Sequence, residues 1–375
     1  MAGIYIHIPF CKQTCSYCDF HFSTSLKSKE AFVSSLMREI DLQKNYLGVE
    51  VLIETIYFGG GTPSLLSANE LNKIFKTLYE NFSIAKNAEI TLEANPDDLS
   101  KAKLKELKLS PVNRLSIGIQ SFFEEDLKLM NRAHNAEQAE ICIKESQQAG
   151  FENITIDLIY GTPGLSNAKW KKNLAKVFSY DIQHLSSYSL TIEEKTPLES
   201  HIKKGKVKPV DEEQSAEQFL ILMEETAKNG YEQYEISNFS KQGFHSRHNS
   251  NYWKGVKYLG LGPSAHSFDE NSRQWNVSNN FRYIQSITEN KIPAEKEILT
   301  IEQKFNEYMM TALRTSSGIS LEKVETEFGA NYLSNLLVEA KNYLDCSKII
   351  LKENHLILTN SGKLIADRIS SDFFA

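Results

Sequence analysis

Apolar and polar positions alternate in short bursts through the first half of the chain. Strand-like runs fall at Ile4–Ile8, Thr55–Phe58, Glu89–Ala94, Arg114–Gly118, Asn153–Ile159 and His184–Ser189, rich in Ile, Leu, Tyr and Thr. Helical spacing fills the gaps at Lys29–Asn45, Ala68–Phe82, Ser100–Lys108, Glu124–Asn131 with Ala136–Gln148, and Ala168–Phe178. Gly150 stands where a helix C-terminal glycine belongs. Strands that alternate with helices predict a parallel sheet with right-handed crossovers. A full eight-unit barrel needs about 250 residues. Here the repeat fades after six units, which predicts an α/β fold with a partial (β/α)6 barrel, open on one side. An open doubly wound sheet would give a similar string.

The pattern then changes twice. Residues 196–297 are less regular, with one strong helix at Asp211–Asn229 and a stretch rich in Gly, Asn, Tyr and Trp. They read as a functional extension packed on a barrel that spans residues 1–195. From residue 298 to 375, helices fit Thr300–Thr315, Leu321–Phe328 and Asn331–Leu344. Lys348–Leu351 and His355–Thr359 flank a hairpin signal at Lys352-Glu353-Asn354, and a last helix fits Asn360–Ser370. Three helices and a two-stranded wing resemble a winged-helix domain, although fold does not fix function.

Composition narrows the function. The 375 residues carry a net charge of −6, which argues against a nucleic-acid partner and makes protein contact the better role for the wing. No apolar run is long enough to span a bilayer, and no signal peptide is evident, so a cytoplasmic protein is expected. Of five cysteines, three lie within eight residues, too close to pair sensibly as disulfides.

Those three, Cys11, Cys15 and Cys18, follow the first strand with the spacing C-x3-C-x2-C. A short loop of thiolates can wrap an iron–sulfur cube. Three ligands leave a fourth iron without a protein thiolate, available to a substrate or cofactor. A structural zinc site is the alternative, but zinc wants four ligands, and Cys142 and Cys346 stand alone. Phe58-Gly59-Gly60-Gly61-Thr62-Pro63 closes the second strand, where a glycine run lets backbone approach a ligand or simply turns tightly. Glu93, Gln120 and Asp157 fall at or near the same ends of the next three strands, the face from which barrels contact ligands. Arg132 has the fork geometry to meet a carboxylate. Tyr5 on the first strand faces either the cluster or the core.

The cysteine spacing, with the aromatic Tyr17 before the third cysteine, resembles the radical S-adenosylmethionine (SAM) superfamily. That resemblance implies a [4Fe–4S] cluster on Cys11, Cys15 and Cys18, SAM chelating the open iron, and reductive cleavage to a 5′-deoxyadenosyl radical. Tyr5-Ile6-His7-Ile8-Pro9-Phe10-Cys11, the Gly-Gly-Gly-Thr-Pro element, Ser116-Ile117-Gly118-Ile119-Gln120-Ser121-Phe122 and Leu158-Ile159-Tyr160-Gly161-Thr162-Pro163-Gly164 are similar to the oxygen-independent coproporphyrinogen III oxidase family. By that resemblance Tyr5, Gly60, Gly61, Thr62, Glu93, Gln120, Arg132 and Asp157 match SAM contacts, with Tyr17 beside them.

The true oxidase of that family carries a fourth cysteine two positions after the third and a longer N-terminal arm. Here that position is Phe20, and only ten residues precede Cys11. Both departures match the HemW-type heme-chaperone branch. His248-Asn249-Ser250-Asn251-Tyr252-Trp253 also matches that branch's H-N-x-x-Y-W element, linked to heme binding. The resemblance implies heme as a cofactor, with His248 as its candidate ligand and His245 and His266 as alternatives. It further implies delivery to heme-acceptor proteins such as membrane respiratory enzymes, with peripheral membrane association and no required radical turnover.

Overall fold

A computed structural model describes residues 1–48 and 50–375. Six parallel strands come first: β1 (Ala2–Ile8), β2 (Leu52–Gly60), β3 (Ser83–Ala94), β4 (Arg114–Gln120), β5 (Asn153–Tyr160) and β6 (His184–Ser189). Between them run α1 (Lys29–Gln43), α2 (Ala68–Asn81), α3 (Lys101–Lys108), α4 (Glu124–Leu129), α5 (Ala136–Gln148) and α6 (Asn167–Ser179). The strands lie in chain order, β1 to β6, with no reversal. A doubly wound sheet needs a reversal, so the order selects the open barrel. Right-handed crossovers then put every helix on one face.

Period-two alternation divides the strand residues between the two faces. Ile4, Ile6, Ile56, Phe58, Leu92, Ile117, Ile156 and Leu185 are fully buried in the large apolar core. Their alternates are polar. Tyr5, Tyr57, Glu93, Arg114, Ser116, Asp157 and His184 stand on the opposite, inner face. The core is therefore the helix–sheet layer, and the barrel lumen is a polar column.

The next hundred residues do more than pack against this barrel. They contain α7 (Pro197–Lys203), α8 (Glu212–Lys228), β7 (Glu232–Glu235), β8 (Asn238–Ser240), α9 (Arg247–Trp253), β9 (Tyr258–Leu261), β10 (His266–Phe268), β11 (Ser272–Asn276), α10 (Asn280–Thr288) and β12 (Ala294–Ile298). β8 adds antiparallel to β6, and β9 adds parallel to β1. The sheet thereby grows at both edges to twelve strands among the described residues, bounded by β12 and β7. These strands span only three to five residues each, too short for periodicity to reveal.

The C-terminal part holds α11 (Ile301–Leu313), β13 (Ile319–Ser320), α12 (Leu321–Phe328), α13 (Ala330–Asp345), β14 (Ile349–Lys352), β15 (His355–Leu358), α14 (Asn360–Lys363) and α15 (Ala366–Asp372) around its own apolar cluster. The wing turns through Glu353 and Asn354, both at positive φ (48° and 63°), as a two-residue hairpin requires. The helix expected over Asn360–Ser370 is broken into α14 and α15. Ile365 leaves helical geometry, with φ −129° and ψ 30°. Just before the break, a Cβ on Gly362 would lie 1.9 Å from the Lys348 carbonyl oxygen. α14 is therefore pressed against the residue that enters β14.

Candidate functional site

The three cysteines sit in the loop after β1, at the C-terminal mouth of the barrel. Backbone bonds pin this loop. Cys11 N–H donates to Ser23 O at 3.0 Å, and Ser23 N–H donates to Pro9 O at 2.9 Å. Ser16 N–H reaches Met130 O, and its hydroxyl reaches Leu129 O at 2.8 Å. Asn131, at φ 51°, donates its side-chain amide to Thr14 O and reverses the chain just before Arg132. The loop and the arginine are thus placed by one set of contacts. Arg132 donates to the Cys15 sulfur at 3.2 Å, to Asn95 Oδ1 at 2.5 Å and to Gly118 O at 2.8 Å, with the Tyr17 hydroxyl at 3.5 Å. Thr62 donates to the Cys11 sulfur at 3.4 Å and accepts from Asn95.

This donor set fits an iron–sulfur cluster. Burial pushes the Cys11 thiol up and the Cys18 thiol to about 11, and the neighbouring cysteines add to both shifts, so the three thiols share one locale. A cube takes each thiolate at its own corner. Arg132 and Thr62 supply the hydrogen bonds to sulfur that stabilise such thiolates. The buried Arg132 Nε–H has no acceptor among the described residues and remains a donor for a carboxylate.

The amides of the glycine run are engaged by neighbours. Gly61 N–H already donates to Ile8 O at 2.9 Å, and Gly60 N–H bonds Glu93. Gly60 sits at φ 99°, where a Cβ would strike the His7 ring at 2.5 Å; on Gly61 it would meet Ile8 O at 2.6 Å. The glycines let β2 close against the root of the cysteine loop.

The lumen gathers the other expected residues. Glu93 is pushed up to about 7, mainly by burial, and accepts from Tyr57 at 2.8 Å. Asp157 is pushed up to about 6, again by burial, and accepts weakly from Ser116 at 3.3 Å. Tyr5 stacks on Tyr57 at 6.2 Å and bonds His7 at 3.3 Å. Gln120 is held at φ 64°, a conformation rare outside glycine and common at functional positions. His7 of the first motif joins this column, as do Asn95, Tyr57 and Arg114, which lie outside the quoted motifs. Tyr57 and Arg114 were detectable, since alternation alone puts both on the face of Glu93. Asn95 was not, because it lies in a turn.

His248 lies at the other end of the barrel. Its ring approaches Gly3 and Thr55, five residues or about 16 Å along β1 from the cysteine loop. One ring nitrogen shares a hydrogen bond with Thr55 Oγ1 at 2.8 Å, the other with the Tyr252 hydroxyl at 3.0 Å. The ring stacks on Tyr57 at 5.0 Å, and burial lowers its pKa to about 3. The heme ligand expected at His248 is therefore a closed, neutral imidazole that plugs the lumen floor. Glu89 accepts from the Arg247 and His248 N–H groups, both at 3.0 Å, and fastens the start of α9 there. His245 and His266 both stand outside the lumen, stacked on Tyr234 and Trp275.

Comparison with known proteins agrees with this architecture. Residues 5–177 match the Radical SAM superfamily. The heme chaperone HemW of Bacillus subtilis is 34% identical over 376 residues, covering 100% of this chain and 99% of its own. The heme chaperone HemW of Lactococcus lactis is also 34% identical, covering 98% of this chain and 96% of its own. The Escherichia coli coproporphyrinogen III oxidase HemN, described as a radical SAM enzyme, superposes with a TM-score of 0.86 at 21% identity, covering 100% of this chain and 90% of that one. At that identity the likeness establishes the fold. The thiol loop, the polar lumen and the end-to-end match together place this chain in the radical SAM superfamily, within the HemW heme chaperone family.

Proposed function

We propose that this protein is a heme chaperone that binds heme and hands it to acceptor proteins. The observation that carries the reading is the match over essentially the full length of both chains to relatives named as heme chaperones. Superfamily membership implies a [4Fe–4S] cluster and SAM. In our reading Cys11, Cys15 and Cys18 hold three irons, and Thr62 and Arg132 steady the sulfurs. Tyr5, Tyr17, Gly60, Gly61, Glu93, Gln120 and Asp157 line the SAM site with them. Bound there, SAM supplies radical chemistry through reductive carbon–sulfur cleavage. The chain's own share is to bind and orient: Arg132 Nε offers a donor to the cofactor carboxylate, and Glu93 and Asp157 offer acceptors inside the lumen. Phe20, 68% exposed beside the loop, stands where a fourth cysteine would mark an oxidase. The acceptors in this reading are heme-dependent respiratory enzymes, met at the cytoplasmic face of the membrane. Among the described residues no helix is long and apolar enough to cross it.

The test is to reconstitute the protein anaerobically and assay heme transfer and coproporphyrinogen turnover in parallel. Heme binding with transfer to an apo-cytochrome, and no porphyrinogen product with a competent electron donor, is the expected result. Product formation, or failure to bind heme, overturns the reading.

A further inference from the structure

α9 presents different residues to different places. His248 enters the lumen, whereas Trp253, at the end of the same helix, and His245, just before it, line a separate cleft of about 330 Å³. The opposite wall comes from the C-terminal part: Tyr308 of α11, the 315–320 turn, Lys323 of α12 and His355 of the wing. The volume lies in the range of small-molecule sites.

Three features of this cleft converge on one ligand chemistry. The first is an aromatic lining of Tyr234, His245, Trp253 and Tyr308. Tyr234 and His245 stack at 4.3 Å with 20° between their planes, and the Arg314 guanidinium covers Trp253 at 5.6 Å. The Trp253 indole N–H is buried with no acceptor among the described residues, a donor left for something that enters the cleft. The second is a histidine prepared as a ligand. His355 Nδ1 lies 2.8 Å from Glu353 O. A carbonyl only accepts, so Nδ1 carries the hydrogen and Nε2 keeps its lone pair, the arrangement that orients metal-binding imidazoles. No hydrogen-bond partner holds that Nε2 among the described residues, whereas both nitrogens of His248 are held. The Nε2 of His245 already faces Glu232 at 3.4 Å. The third is a pair of ammonium groups, Lys254 and Lys323, on opposite walls.

A planar metallomacrocycle with two carboxylate arms uses all three. We propose that heme occupies this cleft, with His355 Nε2 as its axial ligand and Lys254 and Lys323 meeting its propionates. The proposal rests on the heme-chaperone reading and deepens it by locating the cargo site away from the cluster. The two walls come from distant parts of the chain, so the site forms only where the C-terminal part packs on the barrel extension.

The experiment titrates ferric heme into the reconstituted wild type, His355→Ala, and a Lys254→Glu/Lys323→Glu double variant. Absorption and electron paramagnetic resonance spectra report the ligand. His355→Ala is expected to lose about tenfold or more in heme affinity and to change its ligand-field spectrum, since even outer-sphere changes cost that much at metal sites. Added imidazole should restore the wild-type spectrum. The lysine double variant should bind heme several-fold more weakly yet bind heme dimethyl ester like the wild type. A His355→Ala protein with native circular dichroism and iron content that binds heme as the wild type does overturns the proposal. So does a double variant with unchanged affinity for free heme. A wild type that binds no heme sinks the functional reading itself, which is a distinguishable result.

Discussion

At the scale of single residues, Glu39 shows how much a buried acid can govern. It is fully buried on α1, and its carboxylate accepts from Gly262 N–H at 2.7 Å, Asn276 at 2.6 Å and Tyr283 at 2.6 Å. One side chain thereby ties the helix layer to the residue after β9, to β11 and to α10. Burial nonetheless outweighs these bonds and pushes its pKa up to about 7. The unfolded chain releases this proton in the ordinary carboxylate range near 4.5, so between there and about pH 7 the folded state holds one proton more. The stability this supplies is present at low pH and is lost as pH rises through that window, at about 1.4 kcal/mol per unit. Glu39→Gln should flatten that part of the stability curve, as read by urea denaturation across pH. An unchanged slope would refute the assignment. In sequence this glutamate looked like any charged residue on an amphipathic helix; only the packing of α10 over α1 buries it.

At the scale of elements, α9 is the clearest case of a short helix positioned by a distant strand. Seven residues cannot sustain a helix in water, so its start depends on Ser246, which accepts from Asn249 N–H, and on Glu89 of β3. Removing a carboxylate that accepts two N–H groups at a helix start costs about 1–2 kcal/mol. Glu89→Ala should therefore destabilise the protein by that amount and raise hydrogen exchange across residues 246–253 first. Because α9 carries both the lumen plug, His248, and a cleft wall, Trp253, the same variant should also weaken heme binding. If exchange rises only elsewhere, Glu89 does not anchor the helix. The H-N-x-x-Y-W pattern thus divides its labour: His248 and Tyr252 bond each other inside, and Trp253 faces the cleft.

At the scale of the whole molecule, the barrel core and the cysteine loop are separable in their physical support. The apolar core lies between sheet and helices, while the loop hangs at the mouth on hydrogen bonds to residues 129–131. Stripping iron with a chelator should leave far-UV circular dichroism unchanged. It should also lower SAM affinity by at least about tenfold, because chelation of the open iron is lost while the lumen contacts persist. Calorimetry on the stripped and reconstituted protein measures this. SAM binding that survives iron removal intact would show that the lumen alone suffices.

What the chain determined by itself was whatever depends on near neighbours in sequence. Three cysteines within one turn of loop, period-two alternation in six strands, a glycine run at a strand end and the Glu353-Asn354 hairpin need no distant partner to be recognised. Their chemistry and spacing follow from local geometry, and Cys11, Cys15, Cys18, Thr62, Glu93, Arg132 and Asp157 do gather at the mouth and in the lumen. What only the tertiary structure decided depends on which segments meet. The same sequence pattern permits a heme ligand at His248, yet packing carries that ring to the barrel floor and closes both its nitrogens. It brings His245 and His355, 110 residues apart in sequence, to the walls of one cleft. It also presses Gly60 and Gly61 into the seam between β1 and β2. Burial and hydrogen-bond satisfaction are properties of contacts between distant residues, and periodicity along one strand carries no record of them.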